Sequence, residues 1–399
     1  MTLSPLHDEH RALGATMVDF AGWQMPVRYA GDVAEHQAVR HAAGLFDISH
    51  MGEIAVRGAD AAAGLDAALV SAVSRMGIGT AKYTMMCTPD GGVIDDLIVY
   101  RRDWDHFVVV ANAANTTAVL AELRARLAAR AVSVQDESAQ VALLAVQGPQ
   151  AEDIVARMCS RGGEDVRALR TYTWTVVVLE GDVHAMCART GYTGEDGFEL
   201  FVNAEDAVEV WRLALAVGGP VGLVPCGLSA RDTLRLEAGM PLYGQELDRH
   251  HTPAQAGLGR VVHLGPGSSL ERPGPTGAAL WSEARERGDF VGREALTAAL
   301  AAHEAAVASP ADAPADAVVL VGLTGEGRRA ARPGYDVLQG GRRVGVVTSG
   351  APSPTLGKPV AMAYVHPSVA AAGTPVEVDV RGRAEPMVVC ALPFYRRPR

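Results

Sequence analysis

Residues 91–100 read GGVIDDLIVY, an apolar run with two acids set inside it. The β-branched residues after a Gly-Gly turn signal read as a strand. Successive side chains of a strand point to opposite faces, so a regular strand cannot send Asp95 and Asp96 to the same side. One of them can meet solvent; the other faces a core or a cavity, where a carboxylate needs donors or a ligand. The second acid is therefore either a satisfied structural group or a fixed negative charge available to chemistry.

Two further stretches carry charge in apolar settings. In RTGYTGEDGFELFV, residues 189–202, turns rich in Gly and Thr lead into a strand over 198–202. Phe198, Leu200 and Val202 share one face, and Glu199 shares the other with Phe201. A carboxylate beside an aromatic ring suits a flat nitrogen heterocycle, because it can accept two N–H bonds from an amino-pyrimidinone edge. A solvent-facing Glu on a half-buried sheet is the plainer alternative. In CGLSARDTLRLEAGMPLYGQELD, residues 226–248, the apolar spacing predicts a short helix ending at Gly239. Arg231 and Arg235 lie one turn apart on it and repel. A bound carboxylate would relieve them; Asp232 and Glu237 could do so internally.

Other chemistries lack their signatures. No GK[ST] closes a Gly-rich loop, GYTGEDG has the wrong spacing for a dinucleotide fingerprint, and HExxH and GxSxG are absent. His36, His50 and His106 show no metal spacing and read as surface or satisfied core histidines. The five cysteines are far apart without a CxxC, which argues against a disulfide framework or zinc site and fits a reducing compartment. Net charge is −10 with no long basic run, unlike a nucleic-acid binder. No window reaches the ~20 apolar residues of a membrane span, and MTLSPLHDEHRALG lacks a signal-peptide pattern. A cytoplasmic protein is expected.

These residues need elements to hold them, and 399 residues suggest two or three domains. Strands are expected at 53–57, 83–87, 93–100, 107–112 and 141–146, with helices at 59–70 and 116–131. The Pro89–Gly92 turn makes a meander plausible, and the order suggests an α+β unit with an antiparallel sheet. Residues 265–288 and 305–315, rich in Gly, Pro, Ser and charge, read as surface loops. Beyond 317 the chain is β-rich, as in a separate all-β domain.

Taken together, MVDFAGWQMPV (17–27), GLFDISHMGE (44–53), GGVIDDLIVY, VVANAAN, AVQGPQA, RTGYTGEDGFEL, the 226–248 stretch, DFVGREAL (289–296) and TSGAPSPTLGKPVAMAYV (348–365) resemble the glycine cleavage aminomethyltransferase (T-protein) family almost from end to end. The resemblance implies an α+β, three-domain cloverleaf around a central folate channel. Residues 1–53 plus 138–257 would form a discontinuous folate-binding domain, 54–137 an antiparallel, ferredoxin-like α+β domain, 258–288 a surface loop or linker, and 289–399 a C-terminal β domain of barrel or jelly-roll type. It assigns Asp96 the catalytic position near the reactive nitrogens of tetrahydrofolate, with Asp95 structural or outward. It gives Glu199 the pterin edge and Arg231 a place in folate binding, on the glutamate tail. Tyr83, Tyr100, Asn112, Met51 and Tyr192 would line the channel, and the tail Phe394–Arg397 would come near it.

The activity implied is transfer of the methylene of an aminomethyl group, carried on the lipoyl sulfur of the H-protein, to tetrahydrofolate. The products are 5,10-methylenetetrahydrofolate, ammonia and dihydrolipoyl H-protein. Glycine decarboxylase and dihydrolipoyl dehydrogenase would be functional neighbours; no metal, flavin, nucleotide, nucleic acid or membrane is implied. Alternatives on the same fold are a folate-dependent demethylase, a folate-binding iron–sulfur assembly factor and the C-terminal half of a flavin-linked amine oxidase. The assembly factor's KGCYxGQE-type motif is matched here by GMPLYGQE, which lacks the cysteine.

Overall fold

The computed structural model describes residues 1–265, 288–327 and 329–398. Most of the loop expected at 265–288 lies outside the described residues.

The expected antiparallel sheet is present. Its five strands run in the order Ala81–Cys87, Val93–Arg101, His106–Ala111, Gly52–Arg57, Ser133–Asp136, all antiparallel, with the first three a meander. Alternation divides its side chains. Leu97, Val99, Phe107, Val109, Ile54 and Val56 lie under the helices Ala61–Ala68 and Thr116–Arg126, which contribute Leu65, Val119 and Leu123. The second helix is shorter than the expected 116–131 because the chain turns to enter Ser133–Asp136.

A seven-stranded sheet runs in the order Cys159–Arg161, Trp174–Leu179, His184–Ala188, Gly197–Asn203, Val141–Gln147, Ala43–Asp47, Leu223–Pro225. One face is covered by Ala151–Met158 and Ala207–Gly218, whose Ile154, Val155, Val210 and Trp211 join Leu144, Phe198 and Leu200. The opposite face packs against the first sheet. Phe46, Ala145, Met186 and Phe201 meet Ile98, Tyr100, Val108 and Val110 there. The facing layer between the two sheets is where Glu199 and Asp96 point.

The β-rich end closes into a six-stranded barrel ordered Val319–Thr324, Lys358–Val365, Arg342–Ser353, Asp336–Gln339, Pro375–Asp379, Ala384–Cys390. The helix Leu228–Glu237 joins it to the sheets, setting Leu236 against Val360 and Met362.

Two segments pack differently from the linker and C-terminal readings. Val262, expected in a surface loop, is buried in a cluster with Met85 and Val93. The helix Arg293–Ala308 brings Leu296 and Leu300, one turn apart, to that same cluster rather than to the barrel. Gly92 is needed here for close approach: a Cβ would fall 1.9 Å from the Arg249 carbonyl oxygen. The adjoining Val93 N–H donates to the Asp248 carbonyl at 2.8 Å.

Candidate functional site

The strand Val93–Arg101 sends its two acids apart, as alternation requires. Asp95 turns to the helix-covered side and is fully buried. It accepts the Asn112 backbone N–H and side-chain amide at 2.9 Å each, and the Asn115 amide at 2.7 Å. It is the satisfied structural acid, and it is not outward. Asp96 turns toward the facing layer and is half-buried. Its Oδ2 accepts from the Tyr83 hydroxyl at 3.0 Å and its Oδ1 from Asn112 Nδ2 at 2.9 Å. One Asn112 amide thus bridges both acids.

Burial pushes both carboxyls above their ordinary range. Asp95 is raised to about 7, by desolvation first and then by the charge of Asp96. Asp96 is raised by desolvation, against the hydrogen bonds from Tyr83 and Asn112. The side-chain donors to Asp96 among the described residues are neutral, so no cation cancels its charge.

Strand pairing brings the other candidates alongside. Tyr83 pairs with Ile98, and Gly52 with Ala111, so Met51 adjoins Asn112 at the end of the same ladder. Across the layer, Glu199 is 7 % exposed. Its Oε2 accepts from the Tyr100 hydroxyl at 3.1 Å and from Thr190 Oγ1. Among the described residues none donates to Oε1. Tyr100 itself meets Phe201 edge to face at 5.1 Å. The solvent-facing alternative for Glu199 does not hold.

The glycines of RTGYTGEDG are explained by Gln147. A Cβ on Gly191 or Gly197 would lie within 2.0 or 2.3 Å of its amide atoms. Gln147 in turn donates to the Thr190 carbonyl and accepts from Thr193, folding the loop around itself. Tyr192 is thereby held with its hydroxyl on the Pro241 carbonyl at 2.5 Å.

The two arginines of the helix part company. Arg235 pairs with Asp232 at 2.7 Å and with Glu246 at 3.1 Å, and donates to Ser349 at 2.9 Å. Glu237, expected as a neutraliser, is committed instead to His36, Arg40, Ser353 and Thr355. Arg231 has neither an ion pair nor a side-chain hydrogen bond among the described residues. Its guanidinium lies 4.8 Å from the centre of the Tyr192 ring. Desolvation pushes its pKa down, against the charges of Tyr192 and Glu199. Asp96, Glu199 and Arg231 thus converge with Tyr83, Tyr100, Asn112, Met51 and Tyr192.

Two neighbours were not singled out by the sequence. Tyr172 holds a left-handed backbone (φ 61°), fixed by its N–H on the Arg189 carbonyl and its own carbonyl on Ala81 N–H. The residue is 40 % exposed, and desolvation of the hydroxyl, then the charge of Glu199, push the phenol up. No residue-type pattern announces such a conformation. His50, read as an ordinary histidine, is buried beside Arg231. In the C-terminal tail, Tyr395 stacks on Arg40 at 4.1 Å and Arg397 pairs with Asp196 at 3.3 Å.

Residues 6–265 match the GCVT N-terminal domain, and residues 319–396 match the glycine cleavage T-protein C-terminal barrel domain. The chain belongs to the glycine cleavage T-protein family. It is 52 % identical to the aminomethyltransferase of Streptomyces avermitilis over 391 residues, 98 % of this chain and 96 % of that one. The Cutibacterium acnes aminomethyltransferase is 49 % identical, covering 99 % of this chain and 98 % of its own. The crystal structure of glycine cleavage system aminomethyltransferase T from Bartonella henselae superposes with a TM-score of 0.83 at 34 % identity, covering 99 % of this chain and 98 % of that one. The chain is accordingly an enzyme, an aminomethyltransferase of glycine cleavage. No described helix is long and apolar enough to cross a membrane.

Proposed function

We propose that the facing layer binds tetrahydrofolate, and that the aminomethyl donor is the lipoylated H-protein of the glycine cleavage system. The observation that carries this reading is a half-buried, desolvated carboxylate without a countercharge: among the described residues Asp96 is held by the neutral donors Tyr83 and Asn112. Such a charge is costly unless a ligand uses it. The residues around it fit a reduced pterin. Glu199 Oε1 can accept from the amino-pyrimidinone edge, Tyr100 and Tyr192 border the rings, and Arg231 brings donors that no described residue engages.

When bound, tetrahydrofolate supplies the nitrogen nucleophile that takes the methylene from the sulfur-bound aminomethyl group, giving 5,10-methylenetetrahydrofolate, ammonia and dihydrolipoyl H-protein. Carbon–sulfur cleavage builds positive charge on the transferring carbon and nitrogen. Asp96 has the right sign to stabilise it in a layer of low dielectric. Tyr83 and Asn112 hold the carboxylate in place before reaction, which is a positioning contribution. Asp95 anchors Asn112 from the far side of the strand, so the pair of acids divides into one that acts and one that braces.

The test is ammonia release from aminomethylated H-protein, with and without tetrahydrofolate. Release that depends strongly on tetrahydrofolate, with 5,10-methylenetetrahydrofolate as product, is expected. Equal release in its absence, or turnover of an N-methylated amine instead, would overturn the reading in favour of a demethylase.

A further inference from the structure

The helix Thr116–Arg126 starts from Asn115, its N-cap. Asparagine is favoured at that position because its side-chain oxygen can accept from a backbone N–H of the first turn. Here the side chain makes no such bond. Its amide nitrogen instead donates to Asp95 Oδ1 at 2.7 Å. A cap that the residue type could supply is given up for a bond to a buried acid.

The donors around Asp95 show what that bond secures. Its Oδ2 accepts the Asn112 backbone N–H at 2.9 Å, and its Oδ1 accepts the Asn112 amide at 2.9 Å as well as the Asn115 amide. The main chain closes the ring. Asn115 N–H donates to the Asn112 carbonyl at 2.8 Å, and Thr116 Oγ1 donates to the same carbonyl at 3.1 Å. Asp95 is fully buried, so a donor lost there is not made good by solvent.

Asn112 carries this hold through to the other face of the strand. A side-chain amide has two hydrogens. The Asn112 amide divides them between Asp95 Oδ1 on one side and, on the other, the Asp96 carbonyl at 3.1 Å and Asp96 Oδ1 at 2.9 Å. Turning that amide over would set its oxygen against two carboxylates, so the acids fix which end faces them. The other side-chain donor to Asp96 among the described residues is the Tyr83 hydroxyl at 3.0 Å. Loosening Asp95 therefore loosens Asn112, and with it one of the two side-chain holds on Asp96. We propose that Asn115 is a positioning residue for the transfer reaction, fixing through Asp95 and Asn112 where the Asp96 carboxylate stands. The proposal rests on the reading of Asp96 as the group that stabilises the developing charge.

Asn115→Ala and Asn115→Ser separate positioning from stability. Neither brings an amide to Asp95, but serine can cap the helix and alanine cannot, so the serine variant should melt above the alanine one. In both, kcat for ammonia release from aminomethylated H-protein, per folded molecule, should fall about tenfold, as when one hydrogen bond to a charged group is lost. The KM values for tetrahydrofolate and for the H-protein should stay nearly unchanged. A wild-type kcat in both variants overturns the proposal. So does a loss confined to KM, or a loss in Asn115→Ala that Asn115→Ser makes good. Asp96→Asn, measured alongside, tests the underlying reading: near-normal turnover there removes Asp96 from the reaction, and it is seen in a different variant from any result at Asn115.

Discussion

Two buried polar clusters lie on the same helix and differ in one respect, completeness. On the barrel side, Glu237 receives Arg40 at 2.9 Å, Thr355 Oγ1 at 2.6 Å and Thr355 N–H at 3.0 Å, and lies 3.1 Å from His36. Arg40 spends its remaining donors on the Thr193 carbonyl and on Glu195. On the sheet side, Arg231, His50 Nδ1 and Glu199 Oε1 have no such partners among the described residues. A complete network joins parts of the fold; an incomplete one waits for a molecule. The same residue types serve both ends, so completeness, not composition, separates the Glu237 cluster from the Arg231 one.

The comparison can be broken most forcibly at Glu237. Glu237→Ala should lower stability by about 3–5 kcal/mol, because Arg40 is left buried with its charge less compensated. Denaturant unfolding reads this, and the KM for tetrahydrofolate of the folded fraction should move far less. Burial would raise the Glu237 pKa, yet His36, Ser353 and Thr355 hold it at about 2, below its ordinary 4.5. The stabilisation is therefore full above pH 4.5 and lost as pH falls toward 2, so the gap between variant and wild type should close over that window. A variant as stable as wild type but with impaired folate binding would invert the comparison.

Asp96→Asn tests the other cluster. It keeps the shape and removes the charge, and turnover should fall about a hundred- to thousandfold, as when one preorganised electrostatic group is lost. The melting temperature should hold or rise, since a half-buried acid without a countercharge has gone. Near-normal turnover with folate bound would end the electrostatic role.

The smallest effect sharpens the division between the two acids. Both titrate above the ordinary carboxylate range, so activity should decline as pH falls and the negative charge is lost. Asp95 feels the charge of Asp96, whereas desolvation is what raises Asp96. Asp95→Asn should therefore leave the acid limb of the kcat profile nearly where it stands in wild type. A limb displaced by about one unit or more would mean that the charge of Asp95 acts on the reaction as well.

Much of this was legible in the sequence because alternation is a local rule. It separated Asp95 from Asp96 and put Glu199 on the face with Phe201, and the meander followed from the turn at 89–92. The neutralisation of Arg235 by Asp232 was legible from their spacing, but the further hold of Glu246 and of Ser349 of the barrel was not, because the fold alone brings them together. His50 was passed over because a histidine's partners, or their lack, are set by packing between sheets. The helix Arg293–Ala308 read as part of the C-terminal unit because its apolar stripe does not say which surface it will cover.

Asn112 gives the site a chemical age. Its side-chain amide is the one group among the described residues that touches both acids, and asparagine amides hydrolyse slowly in water. Were that to happen, a third carboxyl would stand where a donor had stood, and the three could not all remain ionised. An enzyme molecule could then keep its fold and its other contacts, and lose the negative field its reaction needs through a lesion almost invisible by mass.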